Sequence, residues 1–221
     1  MAASMKRFFL FSLLLLTVSI VIAGTWYLSH YKKHKTVTSL SLPEKKSKSL
    51  LEQARKAKAF VKEEKYNDSI CFLVDMSLAW GTNRFFVYNM KNNLLIDAGL
   101  VTHGRCNKDF LTGRQYGNEV GCGCTSLGKY KIGNPYQGRF GLAYKLHGLD
   151  SSNSNAFKRY VVLHSHSCVP SSEVDPAPIC QSDGCPTVSP AFLQKLAGIL
   201  DNSKKPLLLW MYEWGKFKSQ K

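Results

Sequence analysis

Tyr160-Val161-Val162-Leu163-His164-Ser165-His166 and Gln181-Ser182-Asp183-Gly184-Cys185-Pro186 are the two stretches on which the reading of this chain turns, with Cys185 following His164 by 21 residues. The apolar run reads as a buried strand that delivers His164 to its exposed end. Side chains alternate along a strand, so His164 and His166 share a face while Ser165 points away. What Ser165 can offer the imidazole is therefore its backbone carbonyl, which would fix the His164 tautomer. Cysteine attacks carbonyl carbon as the thiolate, and a neighbouring imidazole can take its proton. A glycine directly before the cysteine permits a tight turn whose backbone N–H groups point at a developing oxyanion. Two other readings fit the same residues. Cys185 can be a small core residue and His164 a satisfied strand-end histidine. Alternatively His164, His166, Cys168, Cys180 and Cys185 can be drawn as a zinc site, although no tight Cys-x-x-Cys pair supports one.

Outward from this pair the pattern is mostly strands. Ile70 to Val74 is a short apolar run. Arg84–Tyr88 and Leu94–Ile96 flank Lys91-Asn92-Asn93, where asparagine tolerates the positive φ of a tight hairpin. Leu100-Val101 continues the sheet. Between Gly113 and Gly148, seven further glycines separate short aromatic segments, which read as short strands and loops around a cleft. Two helices complete the domain. Leu50, Leu51, Ala54, Ala57, Phe60 and Val61 recur at helical spacing from Ser49 to about Tyr66-Asn67. Ser189-Pro190, a capping hydroxyl followed by a proline at the first helical position, opens a second helix with Phe192, Leu193, Leu196, Ile199 and Leu200 on its apolar face. Pro206 to Met211 is a last strand.

The beginning of the chain differs in character. Lys6 and Arg7 precede an uncharged run from Phe8 to Leu28, and roughly 20 apolar residues suffice to cross a bilayer as a helix. The run continues through Trp26 and Tyr27, which suit a membrane interface. A cleavable signal ending at Ala23 is the other reading, and either one exports the rest of the chain. The expected organisation is an anchor or signal over 1–30, a flexible tether over 31–48, and one domain over 49–221. Thirty Lys and Arg against fifteen Asp and Glu give a formal charge of +15. That excess favours anionic partners. The basic residues are scattered and no finger, basic helix or stacking motif is present, so nucleic acid is not among the expected partners. Seven cysteines in an exported chain leave at least one unpaired thiol. Cys168 and Cys180, twelve residues apart, are the disulfide candidate. For Cys122-Gly123-Cys124 a disulfide to Cys106 is favoured over a metal.

A strand ending in His-Ser followed by a Ser-x-Gly-Cys turn resembles the signature of the murein L,D-transpeptidases. The likeness runs from Leu50 to Trp210. It includes the Asn92-Asn93 hairpin, His103-Gly104-Arg105, Ser126-Leu127-Gly128-Lys129-Tyr130, Tyr136–Leu142 and Gly184-Cys185-Pro186. The resemblance implies a mostly β, α+β fold, an L,D-transpeptidase-like sandwich or barrel with a few flanking helices. It implies Cys185 as nucleophile, His164 as base, Ser165 as the orienting carbonyl, and the N–H groups of Gly184 and Cys185 as the oxyanion hole. The substrate would be peptidoglycan peptide stems, with no cofactor and no metal, on the outer (periplasmic) side of a bacterial cytoplasmic membrane. Ser182, Asp183, His103, Arg105 and Tyr136 are the residues expected to meet substrate. Transfer to a neighbouring stem is the expected reaction, with a same-site carboxypeptidase or cross-link-cleaving hydrolase as the alternative. A non-catalytic wall- or metal-binding envelope protein is a second alternative. This chain departs from the main family in carrying Asp183 two residues before Cys185 where histidine is usual just before the Gly-Cys pair, and Thr187 where asparagine or arginine is usual. The segment Ser167 to Ile179 resembles an insertion.

Overall fold

A computed structural model describes residues 19–21, 25 and 44–215. Residues 19–21 and 25 are helical and belong to a first unit, 1–39, separate from the unit 40–221. The remainder of the expected anchor and most of the tether lie outside the described residues. Among the described residues no helix is long and apolar enough to cross a membrane.

The second unit is mostly β. It runs α1 (Glu44–Glu63), β1 (Ile70–Asp75), β2 (Phe85–Asn89), β3 (Leu94–Gly99), β4 (Gly128–Gly138), β5 (Gly141–Gly148), a 3-10 turn (Ser151–Asn153), β6 (Val162–Ser165), β7 (Thr187–Val188), α2 (Pro190–Asp201) and β8 (Leu208–Tyr212). All eight strands form one sheet in the order β3-β2-β1-β8-β4-β5-β6-β7. The expected sandwich or barrel is thus a single continuous sheet. The reason lies in β8, last in sequence but central in space. It pairs parallel with β1 on one side and antiparallel with β4 on the other, joining two groups of strands that would otherwise be separate sheets.

Both faces of that central region are covered, so β1 is buried almost without interruption rather than on alternate residues. Phe72 and Val74 point into a core closed by Phe192, Leu193 and Leu196 of α2. Cys71 and Leu73 point the other way, against Leu50, Ala54, Ala57 and Val61 of α1. Those four positions recur every three or four residues, which makes one stripe along a helix. Burying an aliphatic side chain of this size contributes about 1.5–3 kcal/mol. A buried hydrogen bond of 2.6 Å from Ser49 Oγ to Asp75 Oδ2 pins α1 to the end of β1. α2 starts as its sequence indicates, with Ser189 Oγ accepting from the Phe192 N–H at 3.2 Å and Pro190 in the first turn.

The Gly-rich region differs most from expectation. Instead of several short strands it builds one long hairpin, with β4 paired to β5 from Tyr130↔Gly148 to Gly138↔Gly141. Glycines weaken the apolar alternation there without breaking the strands. At Gly133 a Cβ would lie 2.9 Å from His147 Nε2 on the neighbouring strand, so any larger residue would have to displace that ring. The hairpin matters for function because β6, which carries His164, pairs with β5 through Ala143↔His164.

Candidate active site

Cys185 lies on a turn, Ser182–Cys185, that its own side chains fold. Ser182 Oγ donates to the Cys185 carbonyl at 2.7 Å and accepts from the Gly184 N–H at 3.2 Å. Gly184 has φ +107°, a left-handed conformation that favours glycine, and a Cβ there would sit 2.5 Å from the Cys124 carbonyl oxygen. Thr102 Oγ1 also donates to the Cys185 carbonyl, at 3.2 Å, and Thr102 N–H bonds the Thr187 carbonyl at 2.9 Å. The turn is therefore held from both sides. One consequence qualifies the expected oxyanion hole: the Gly184 N–H is directed at Ser182 Oγ, whereas no bond occupies the Cys185 N–H among the described contacts.

His164 is buried and sits where β6 meets β7, in register with Thr187. Its Nδ1 lies 3.1 Å from the Ser165 carbonyl oxygen and its Nε2 3.0 Å from Thr187 Oγ1. A carbonyl only accepts, so Nδ1 carries the proton and Nε2 presents its lone pair. That is the tautomer a base needs. The Thr187 hydroxyl currently donates to Nε2, and the Cys185 carbonyl, 3.4 Å from the same oxygen, is its other acceptor. Rotating one hydroxyl frees the imidazole without moving the backbone. Phe140, at the tip of the β4–β5 hairpin, stacks on His164 at 5.3 Å and 16° and meets His166 edge-on.

Burial sets the resting charges. It pushes the His164 imidazole below the ordinary histidine range, partly opposed by its bond to Ser165. It pushes the Cys185 thiol above the ordinary cysteine range, opposed by a backbone hydrogen bond and by the positive charge of Arg159. Thiol and imidazole are thus both neutral at rest. Arg159 was not among the expected residues. Its guanidinium bonds the Gly117 carbonyl at 3.0 Å, and also Ser126 Oγ and the Cys124 carbonyl, directly beneath Gly184. Nothing local in the sequence marks it, since its partners lie 33 to 42 residues away.

Cys185, His164, His166, Thr187, Ser182, Asp183 and Arg105 line one cavity of about 510 Å³, together with Phe140, Phe110 and Gln181. Arg105 and Asp183 pair across its rim at 2.8 Å. Tyr136 is not part of the lining; it stands on the outer face of β4, two strands from His164. His103 is placed differently from expectation. It is buried, stacked on Trp80 at 4.9 Å, with Nδ1 3.1 Å from Arg84 Nη2 and Nε2 3.3 Å from Gln181 Nε2. It reaches the cavity only through Gln181.

Burial and the neighbouring Arg84 and Arg114 charges lower the His103 pKa to about 4. Folding therefore disfavours its protonation. As pH falls from the ordinary histidine range near 6.5 toward 4, the unfolded chain takes up a proton that the folded chain refuses, so stability falls. At 1.36 kcal/mol per pKa unit the full loss is about 3 kcal/mol. Urea unfolding of the wild type and of His103→Gln between pH 7 and 4 is expected to show a decline whose His103-dependent part is absent from the variant.

Two disulfides are present, Cys168–Cys180 and Cys106–Cys124. Cys168 and Cys180 are bonded to each other, which takes both sulfurs out of the zinc arrangement drawn from the sequence. Among the described residues no group of three or more His, Cys, Asp or Glu is placed to hold a metal ion. Cys71, Cys122 and Cys185 are free thiols, and Cys71 is sealed in the core.

A cysteine on a glycine turn and a histidine of fixed tautomer thus line one cavity. The profile of the L,D-transpeptidase catalytic domain matches residues 42–212, and the chain belongs to that family of cysteine-dependent peptidoglycan enzymes. No curated protein sequence matches it. Among solved structures it is similar to an L,D-transpeptidase from Xylanimonas cellulosilytica DSM 15894, at 14% identity over 70% of this chain and 68% of that one, TM-score 0.36. It is also similar to the helical cell shape determining protein Pgp2 of Campylobacter jejuni, at 14% identity over 71% of this chain and 55% of that one, TM-score 0.41.

Proposed function

We propose that this chain is a peptidoglycan L,D-transpeptidase that joins peptide stems through an acyl-enzyme on Cys185. The observation that carries the reading is that Cys185 and a His164 whose Nδ1 is held by Ser165 line one cavity, although the thiol itself faces the Tyr160 carbonyl at 3.8 Å and must turn toward Nε2 to react. As the thiol sulfur bonds to the carbonyl carbon at the L-centre of the third stem residue, its proton passes to His164 Nε2. The carbonyl electrons move onto oxygen, where the Cys185 N–H is the open backbone donor. Collapse of this adduct breaks the amide bond to the fourth residue, and the imidazolium returns its proton to the leaving D-alanine nitrogen. An amine from a second stem then attacks the thioester, losing a proton to His164 and releasing the thiol. Water in place of that amine gives carboxypeptidase chemistry at the same atoms.

The Arg105–Asp183 pair at the rim and Ser182 beneath it are the residues we assign to holding the stem near Cys185, with Tyr136 farther along its path. His103 supports this rim from behind, through Gln181. We place the domain, with boundaries near 49 and 221, outside the cytoplasmic membrane of a bacterium, led there by the apolar segment within 1–30.

Mass spectrometry of purified disaccharide-tetrapeptide incubated with the protein tests the reaction. The expected product is a cross-linked dimer that has lost one D-alanine. Tripeptide without dimer would assign the hydrolytic reaction instead, and unchanged substrate would overturn the reading.

A further inference from the structure

The outer face of β4, β5 and β6 carries a group of side chains that the cavity does not use. Lys131 opposes His147, Tyr136 opposes Ala143, and Ala143 opposes His164, so all share one face of the sheet. Lys145 lies on the same face of β5, two residues from Ala143 and two from His147. Its Nζ is 5.6 Å from the Tyr136 ring and 5.5 Å from the Phe157 ring. Phe157 in turn stacks on His147 at 5.0 Å and 14°. Phe157 is 52% and Tyr136 36% exposed, large apolar surfaces for side chains that pack against neighbours. Among the described residues neither Lys131 nor Lys145 is paired with a carboxylate, whereas other lysines, such as Lys129 and Lys195, are. Burial and the two lysines hold His147 below the ordinary histidine range, so it stays a neutral platform between them.

We infer that this face is a docking surface for the carboxylate-bearing peptide stems of a peptidoglycan strand, with Lys131 and Lys145 pairing the carboxylates and Tyr136 and Phe157 walling the path. The inference rests on the peptidoglycan reading of the Cys185 site and extends it. Its reach fits. Tyr136 is two strand spacings, roughly 10 Å, from His164, and three extended residues span roughly 10 Å. A strand whose reacting stem has its third residue at Cys185 therefore runs out past Tyr136, and it is the carboxylates of the neighbouring stems, not those of the reacting stem, that come over Lys131 and Lys145. Lysine over an aromatic face keeps its charge and still has N–H donors turned outward, which suits capture of a carboxylate. With no carboxylate paired to either lysine among the described residues, the face is complementary to an anion, in line with the +15 charge of the whole chain.

The test is co-sedimentation with purified peptidoglycan sacculi, using the wild type and the Lys131→Glu/Lys145→Glu double variant. The double variant is expected to bind at least tenfold more weakly, and wild-type binding to fall with added salt. Cys185→Ala is expected to bind like the wild type, which separates docking from turnover. Turnover of a small soluble tetrapeptide by the double variant should be unchanged, which also shows that it is folded. Lys131→Gln/Lys145→Gln is the milder companion, expected to weaken binding severalfold. Equal binding by wild type and both variants overturns the docking face. So does equal wild-type binding to sacculi whose carboxylates have been amidated, or loss of binding to anionic lipid vesicles that matches the loss on sacculi. If soluble tetrapeptide is not turned over while sacculus binding depends on these lysines, the docking face stands and the transpeptidase reading fails.

Discussion

Cys185→Ala and His164→Ala are each expected to reduce turnover of the tetrapeptide by at least about four powers of ten, because a nucleophile and its base, the roles proposed for them, act as one unit and losing either removes the whole step. The two variants separate at the level of the protein. Cys185→Ala removes a sulfur whose nearest partner is the Tyr160 carbonyl at 3.8 Å, so its thermal transition should stay within a degree or two of the wild type. His164→Ala removes a buried ring that stacks on Phe140 and accepts from Thr187, so it should be measurably less stable as well as inactive. His166→Ala is expected to retain most activity, since the ring meets Phe140 edge-on and otherwise accepts only the Cys168 N–H. Rates and melting curves of the three variants check the set. An active Cys185→Ala would remove the enzymatic reading.

Arg159→Met gives the second large effect, and it acts on stability and reactivity together. The guanidinium is the partner of the Cys124 carbonyl, over which Gly184 turns with no room for a side chain. Leaving such a half-buried acceptor without its charged donor costs about 1–3 kcal/mol. The same substitution removes the positive charge that opposes burial at the Cys185 thiol. Its thiolate fraction at fixed pH then falls, and iodoacetamide should alkylate Cys185 severalfold more slowly. Arg159→Lys keeps the charge and loses the forked geometry, so it should recover the alkylation rate more fully than the stability. A variant that loses stability while its alkylation rate and pH profile stay unchanged would confine Arg159 to a structural role.

The parts of this architecture that are local are the parts written in the sequence. The strand into His164, the glycine before Cys185, the hairpin with Asn93 at φ +53°, and the Ser189-Pro190 helix start each depend on a few consecutive residues. What is not legible is long-range. β8 separates β1 from β4, and no periodicity says that the last strand is inserted at the centre. Glycines hid an eleven-residue strand because they dilute its alternation without interrupting its pairing. Within the site, Thr102 lies 83 residues from the carbonyl it holds, and Arg159 35 residues from Cys124. His103 reads as a polar loop residue, yet Trp80 and the fully buried Arg84 enclose it. The net effect is that a sequence can nominate Cys185 and His164 as candidates but not the residues that set their charge.

Intact-mass analysis of the protein mixed with tetrapeptide and quenched in acid within seconds tests the central claim most directly. The account predicts a mass increase equal to the acyl donor minus D-alanine, carried after proteolysis by the peptide containing Cys185 and lost on treatment with hydroxylamine. An unmodified Cys185 while the substrate is being converted, or the added mass on any other residue, would contradict it.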